Sequence, residues 1–121
     1  MVNILVVDDS PTYQAMVGEL LQRRGYACTY EERGDAALAS AIKNQPDLIL
    51  MDVIMPGISG FQATRQLAKN PQTAHIPVII ISTKDQETDR VWGLRQGARE
   101  YLVKTVGEDE LIATIEKVLK G

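Results

Sequence analysis

Six side chains capable of chemistry stand where apolar runs of this chain stop. Asp8 and Asp9 close the first run, Asp52 follows Leu48 to Met51, Ser82 and Thr83 follow Val78 to Ile81, and Lys104 follows Val103. Three carboxylates brought to one crevice repel one another, so a cation is needed to hold them there ionised. Ligands that are all oxygen favour Mg²⁺, which keeps several waters in its shell. A hydroxyl and an ammonium facing the carboxylates suit a phosphoryl group, whose oxygens want a donor and a positive charge. These are the parts for phosphoryl transfer to aspartate. Singly, each has an ordinary role: Asp9 as a polar residue before a helix, Asp52 as a cap for the Met55-Pro56-Gly57 turn, Ser82 as a satisfied hydroxyl, Lys104 as a solvated lysine. Their joint placement is what those roles leave unexplained.

The elements that must position them follow from periodicity. Strands are expected over Asn3–Asp8, Ala27–Glu31, Asp47–Asp52, Val78–Ser82 and Glu100–Val103, and helices over 11–24, 35–44, 60–69, 86–96 and 108–120. The last helix carries one buried stripe of Leu111, Ile112, Ile115, Val118 and Leu119. Ser10 followed by Pro11 reads as an N-cap with a first-turn proline, and Gly25 and Gly97 as helix ends. Strict β-α alternation implies a doubly wound α/β domain, a five-stranded parallel sheet with five helices on its two faces. The first, third and fourth strands are almost wholly apolar, as central strands must be, whereas Ala27-Cys28-Thr29-Tyr30-Glu31 fits an edge. Such a sheet presents its site at the carboxyl ends of its strands.

Composition narrows the field. The chain has 121 residues, enough for one domain over 1–121, and no linker, repeat or output domain is expected. Hydrophobic residues make up 45% and aromatics only 5%, so the core is aliphatic. A net charge of −3 without a basic cluster gives no support to nucleic-acid or anionic-membrane binding. The lone Cys28 forms no internal disulfide, which suits a reducing cytoplasm, and no apolar run approaches the ~18 residues a membrane span needs.

Val7-Asp8-Asp9-Ser10, Leu50-Met51-Asp52 with Met55-Pro56-Gly57 and Gly60, then Ser82, Tyr101 and Lys104 together resemble the receiver domain of response regulators, the CheY-like family. Phe61 to Arg65 and Thr83 to Asp89 look most similar to its PilH-type members, regulators of twitching motility. The resemblance implies strand order 2-1-3-4-5, the flavodoxin-like order. It implies Asp52 as phosphoacceptor from a CheA-like histidine kinase, Mg²⁺ held by Asp9, Asp52 and the Ile54 carbonyl with Asp8 acting through water, and Lys104 and Ser82 on the phosphoryl oxygens. It further implies that Tyr101 turns inward on phosphorylation and that a target protein reads the face of the fourth helix, fifth strand and fifth helix. The function expected is that of a monomeric switch in chemotaxis or pilus-based motility, not a metabolic enzyme. An aspartate-nucleophile phosphatase and a phosphate-independent scaffold are the rivals; a flavin site is weak because the first strand ends in carboxylates.

One position departs from the family pattern: Thr105 follows Lys104 where proline is usual. Threonine disfavours a cis bond there, so a trans bond is expected, with Gly107 absorbing the displaced loop. His75 reads as a surface residue, Cys28 as a small core residue, and Trp92 as the rim of the fourth helix's buried stripe, with a partner anchor as the alternative.

Overall fold

Alternation along the strands sorts the apolar residues into two cores, one on each face of a single sheet. The computed structural model describes residues 1–121. Strands β1 (Asn3–Val7), β2 (Ala27–Glu31), β3 (Leu48–Met51), β4 (Val78–Ser82) and β5 (Glu100–Val103) are all parallel, in the order β2-β1-β3-β4-β5. Helices α1 (Pro11–Arg23), α2 (Ala37–Asn44), α3 (Gly60–Lys69), α4 (Glu87–Arg95) and α5 (Glu108–Lys120) fill the crossovers and the C-terminus. Ile4, Val6, Leu48, Leu50, Ile79 and Ile81 pack against Val17 and Leu21 of α1 and Ile112 and Ile115 of α5. The residues between them, Leu5, Val7, Ile49, Met51, Val78 and Ile80, pack against Ala37 and Ala41 of α2 and Ala63 and Leu67 of α3. A strand buried on both faces must be apolar through its middle, and β1, β3 and β4 are, with Asn3 opening β1 and Ser82 closing β4 as the polar ends. The polar β2 is indeed an edge.

The strands are a residue shorter than the sequence pattern implies at Asp8, Asp47 and Asp52, where pairing loosens but continues: the Asp52 N–H donates to the Val7 carbonyl at 2.9 Å. Gly34–Ala36 forms a 3₁₀ turn before α2 instead of its first helical residues. Ser10 caps α1 by accepting from the Tyr13 N–H, and Gly25 and Gly97 adopt φ of +87° and +115° as helix terminators. Gln45, a non-glycine, ends α2 with φ of 46°, for which no sequence signal stood out.

Two expectations need correction. Helix α4 has no apolar stripe: only Gly93 is fully buried, while Val91 is 38% and Trp92 51% exposed, so Trp92 is a surface residue and not peripheral core. Gly93 lets the helix settle on Ile80 and Tyr101, where an added Cβ would lie 3.0 Å from each side chain and force a neighbour to shift. Gly107 absorbs no unusual geometry: it is the N-cap of α5 at φ −73°, ψ 162°, which any residue adopts. The Lys104–Thr105 bond is trans, as expected.

Gly60 ties the fold to the site. A Cβ there would lie 1.8 Å from the backbone oxygen of Asp52 and 2.9 Å from Val53 Cα, so the first turn of α3 can approach the end of β3 only without a side chain. Gly60→Ala should therefore destabilise by about 2–4 kcal/mol in urea unfolding. Gly25→Ala, strained only by its φ with nothing within 4 Å, should cost about 1 kcal/mol; equal losses in the two variants would show that crowding against Asp52 is not the cause.

Candidate functional site

The alternation that builds the cores continues past the strand ends. Asp8 follows Ile4 and Val6, Asp52 follows Leu48 and Leu50, and Lys104 follows Leu102, all on the α1/α5 face. Ser82 follows Val78 and Ile80 on the opposite face, where Tyr101 also packs. Acids and ammonium thus lie to one side of the sheet's carboxyl edge, hydroxyl and aromatic to the other.

Asp8 and Asp52 are buried, 1% and 5% exposed, and Asp9 is exposed. One carboxylate oxygen from each lies within 4.8 Å of the others. Asp8 is fixed on two sides: its Oδ1 accepts from the Ser10 N–H at 2.8 Å, and its backbone carbonyl accepts from Gln14 Nε2 at 2.6 Å. Its Oδ2 is buried without an aligned hydrogen bond. The Lys104 ammonium lies 2.8 Å from that oxygen and 3.7 Å from Asp52 Oδ2, and forms an ion pair with Asp8 by proximity despite poor alignment. Burial pushes the Asp52 carboxyl up to about 6, the Asp8 charge adds to the rise, and Lys104 pulls it partly back.

Across the edge, Ser82 is fully buried and its Oγ accepts from the Lys84 N–H at 3.2 Å. The Tyr101 hydroxyl donates to the Lys84 carbonyl at 2.8 Å. Tyr101 is therefore turned inward without a phosphoryl group, whereas the family resemblance implies that it turns inward on phosphorylation. Ser82 and Tyr101 grip the two backbone groups of one residue in the loop between β4 and α4.

Two residues escaped the sequence reading. Gln14 bridges the carbonyls of Asp8 and, at 3.3 Å, Glu31, clamping the ends of β1 and β2 together. Tyr13 places its ring beneath Lys104, with Nζ 4.3 Å from the centroid. Burial first, then the charges of Asp8 and Asp52, raise its phenol pKa and keep it neutral. The available signal was their place in the first turn of a helix that starts at the acidic pair.

The residues fit a hard divalent cation. A buried carboxylate oxygen lacking a hydrogen bond, two further carboxylates within reach, and no nitrogen or sulfur ligand make the donor set that Mg²⁺ takes.

The raised Asp52 pKa has a measurable sign. Its folded value, about 6, lies above the ordinary unfolded carboxylate value near ~3.9, so between those values the native state binds more protons. Metal-free stability should fall as pH rises through that window and stay low above it. Solvent at the mouth screens part of the penalty, leaving on the order of 1–2 kcal/mol. Asp52→Asn should melt several degrees above the parent at pH 7.5 in chelator, and the gap should close below about pH 4. A gap independent of pH would assign the gain to something other than charge.

Comparison with known proteins agrees with this geometry. The response regulator receiver domain family matches residues 4–116. The chain is 53% identical to PilH of Pseudomonas aeruginosa over 121 residues, all of both chains. It is 36% identical over 117 residues to the phosphate regulon transcriptional regulatory protein PhoB of the same organism, of which it spans 51%. Among solved structures, chemotaxis response regulator CheY4 of Vibrio cholerae superposes with a TM-score of 0.90 at 32% identity, covering 98% of each chain. The receiver domain of a Pseudomonas aeruginosa sensor histidine kinase, solved with a magnesium ion coordinated in its active site cleft, gives 0.90 at 29% identity with the same coverage. With acids, hydroxyl and lysine at the carboxyl edge of a sheet ordered β2-β1-β3-β4-β5, this chain belongs to the response regulator receiver domain family.

Proposed function

We propose that the protein is a phosphorylation-driven switch in which Asp52 accepts a phosphoryl group from a histidine kinase. The observation that carries this is the buried Asp52 carboxylate beside Asp8, Asp9 and the Lys104 ammonium, with Ser82 at the end of the neighbouring strand. An Asp52 oxygen forms the new bond to phosphorus as the bond to the leaving nitrogen or acetate breaks, and the leaving group keeps the electron pair. With a pKa near 6, Asp52 is mostly ionised at neutral pH and so available as the nucleophile. Asp9, Asp52 and the Ile54 carbonyl, with Asp8 through water, would hold Mg²⁺, which would supply positive charge to the phosphoryl oxygens. Lys104 would neutralise a further oxygen, and the Ser82 hydroxyl, which only accepts from the Lys84 N–H, keeps its own O–H free to donate to another.

Output follows from the same contacts. A phosphoryl oxygen that recruits Ser82 draws on the Lys84 backbone, which Tyr101 also holds, and Tyr101 rests against Gly93 of α4. The surface of α4, β5 and α5, with Val91 and Trp92 exposed upon it, then becomes the face read by a target protein. Likeness to PilH over the full length of both chains supports a role in pilus-based motility or chemotaxis, acting through a CheA-like kinase in the cytoplasm and without enzymatic turnover of a metabolite.

Acetyl phosphate with Mg²⁺ should add one hydroxylamine-labile phosphoryl group, and Asp52→Asn should add none. Mass spectrometry showing full labelling of that variant would move the acceptor elsewhere. Asp9→Asn should weaken Mg²⁺ binding at least tenfold in calorimetric titration, and an unchanged isotherm would remove Asp9 from the metal site. On phosphorylation, backbone shifts should reach Trp92 and α5; shifts confined to the crevice would favour a scaffold that binds phosphate without switching.

A further inference from the structure

We propose that Tyr13 is a positioning residue for Lys104: its ring face holds the ammonium inside the crevice while that ammonium exchanges Asp8 for the phosphoryl group on Asp52. The inference deepens the phosphoacceptor reading and rests on it.

Lys104 has three neighbours around its nitrogen, Asp8 Oδ2 at 2.8 Å, Asp52 Oδ2 at 3.7 Å and the Tyr13 centroid at 4.3 Å. The two carboxylates compete for it, and the nearer one is not the acceptor. A cation engaging Asp8 removes that nearer partner, and a lysine side chain released from its ion pair gains conformational freedom by leaving the site. The tyrosine ring opposes that loss. It attracts the ammonium through its face out to about 6 Å from the ring centre, so a small shift of the ammonium between the carboxylates keeps the contact. The contact is sheltered: the Lys104 side chain is 17% exposed, and Tyr13 and Lys104 line one small groove with Val17, Leu20, Val106 and Leu111. Shelter from water strengthens a cation–ring attraction. Tyr13 is itself anchored, its N–H donating to Ser10 Oγ at 3.2 Å while Ser10 N–H is tied to Asp8. The ring is thus registered to the acidic pair through two successive hydrogen bonds, Tyr13 N–H to Ser10 and Ser10 N–H to Asp8. The attraction belongs to the ring and not to the hydroxyl, which makes no hydrogen bond to another protein group.

The geometry can be tested without phosphate. In the Mg²⁺-bound protein, the Lys104 side-chain methylene next to the ammonium should show an upfield ring-current shift in NMR, kept in Tyr13→Phe and lost in Tyr13→Leu. Labelling by acetyl phosphate should slow about fivefold in Tyr13→Leu and by less than about twofold in Tyr13→Phe. In a Lys104→Ala background, Tyr13→Leu should have no further effect. Tyr13→Met serves the same comparison if the leucine variant does not fold. Absence of the ring-current shift with Mg²⁺ bound, equal slowing with and without Lys104, or equal loss in the phenylalanine and leucine variants would overturn the assignment. A normal ring-current shift in a parent protein that takes up no phosphoryl group would instead overturn the phosphoacceptor reading on which it rests.

Discussion

Two buried carboxylates on adjacent strands repel one another, and the arrangement of this domain answers that repulsion. Asp8 and Asp52 end neighbouring strands on the same face of the sheet, out of water, where a pair of negative charges is costly. Lys104 arrives from β5, on the far side of β4, and its ammonium is the charge that lets both acids be there. The compensation is incomplete, since the Asp52 carboxyl remains well above its ordinary pKa and one oxygen of Asp8 has no proper hydrogen bond. A site built this way is a standing demand for one more cation. The demand is created by the strand ends and exists before any metal or phosphate arrives.

Stability and function pull in opposite directions here. Replacing the acids would relieve the native state, and the fold keeps them by making their surroundings stiff. Gly60 lets α3 press its first turn against the backbone of Asp52, with Ser59 and Gln62 closing that turn by a reciprocal cap. Ser10 and Gln14 do the same for Asp8 from α1. Rigid placement on these two strands contrasts with the third, where Ser82 and Tyr101 hold the loop after β4 by single hydrogen bonds to the two backbone groups of Lys84. Rigid acids beside a lightly held loop are what a switch needs: the chemistry must not move, and its reporter must.

The inward Tyr101 gives that distinction physical content. In a domain whose α4 buries only one residue completely, the aromatic resting on Gly93 is a main contact between helix and sheet. The helix is therefore coupled to the site through the Tyr101 ring and its hydrogen bond, with Ile80 beneath Gly93 and the Lys84–Asp89 ion pair alongside. Val91 and Trp92 on its outer side are exposed for the same reason, since a helix without an apolar stripe has no core to bury them in. Their exposure and the weak seating of α4 are one fact.

Much of this was legible in the sequence. Apolar runs without polar interruption identified β1, β3 and β4 as central strands, and the polar β2 as an edge, because burial on both faces leaves no other choice of residue. Asp8, Asp9, Asp52, Ser82 and Lys104 were marked by standing where those runs end, and strand-end position is a local property. Helix α4 was misread because Val91 and Trp92 looked like part of a stripe, whereas the helix is held by a glycine, whose packing value depends on what lies opposite. The tertiary structure alone decided what lies between the elements: that Lys104 pairs more closely with Asp8 than with Asp52, that Tyr101 already reaches the Lys84 carbonyl, and that Tyr13 supplies a ring to the ammonium. Each of these joins residues from different crossovers, at distances of a few ångströms set by how helices seat on the sheet. Periodicity fixes which face a residue takes; only packing fixes which partner it meets there.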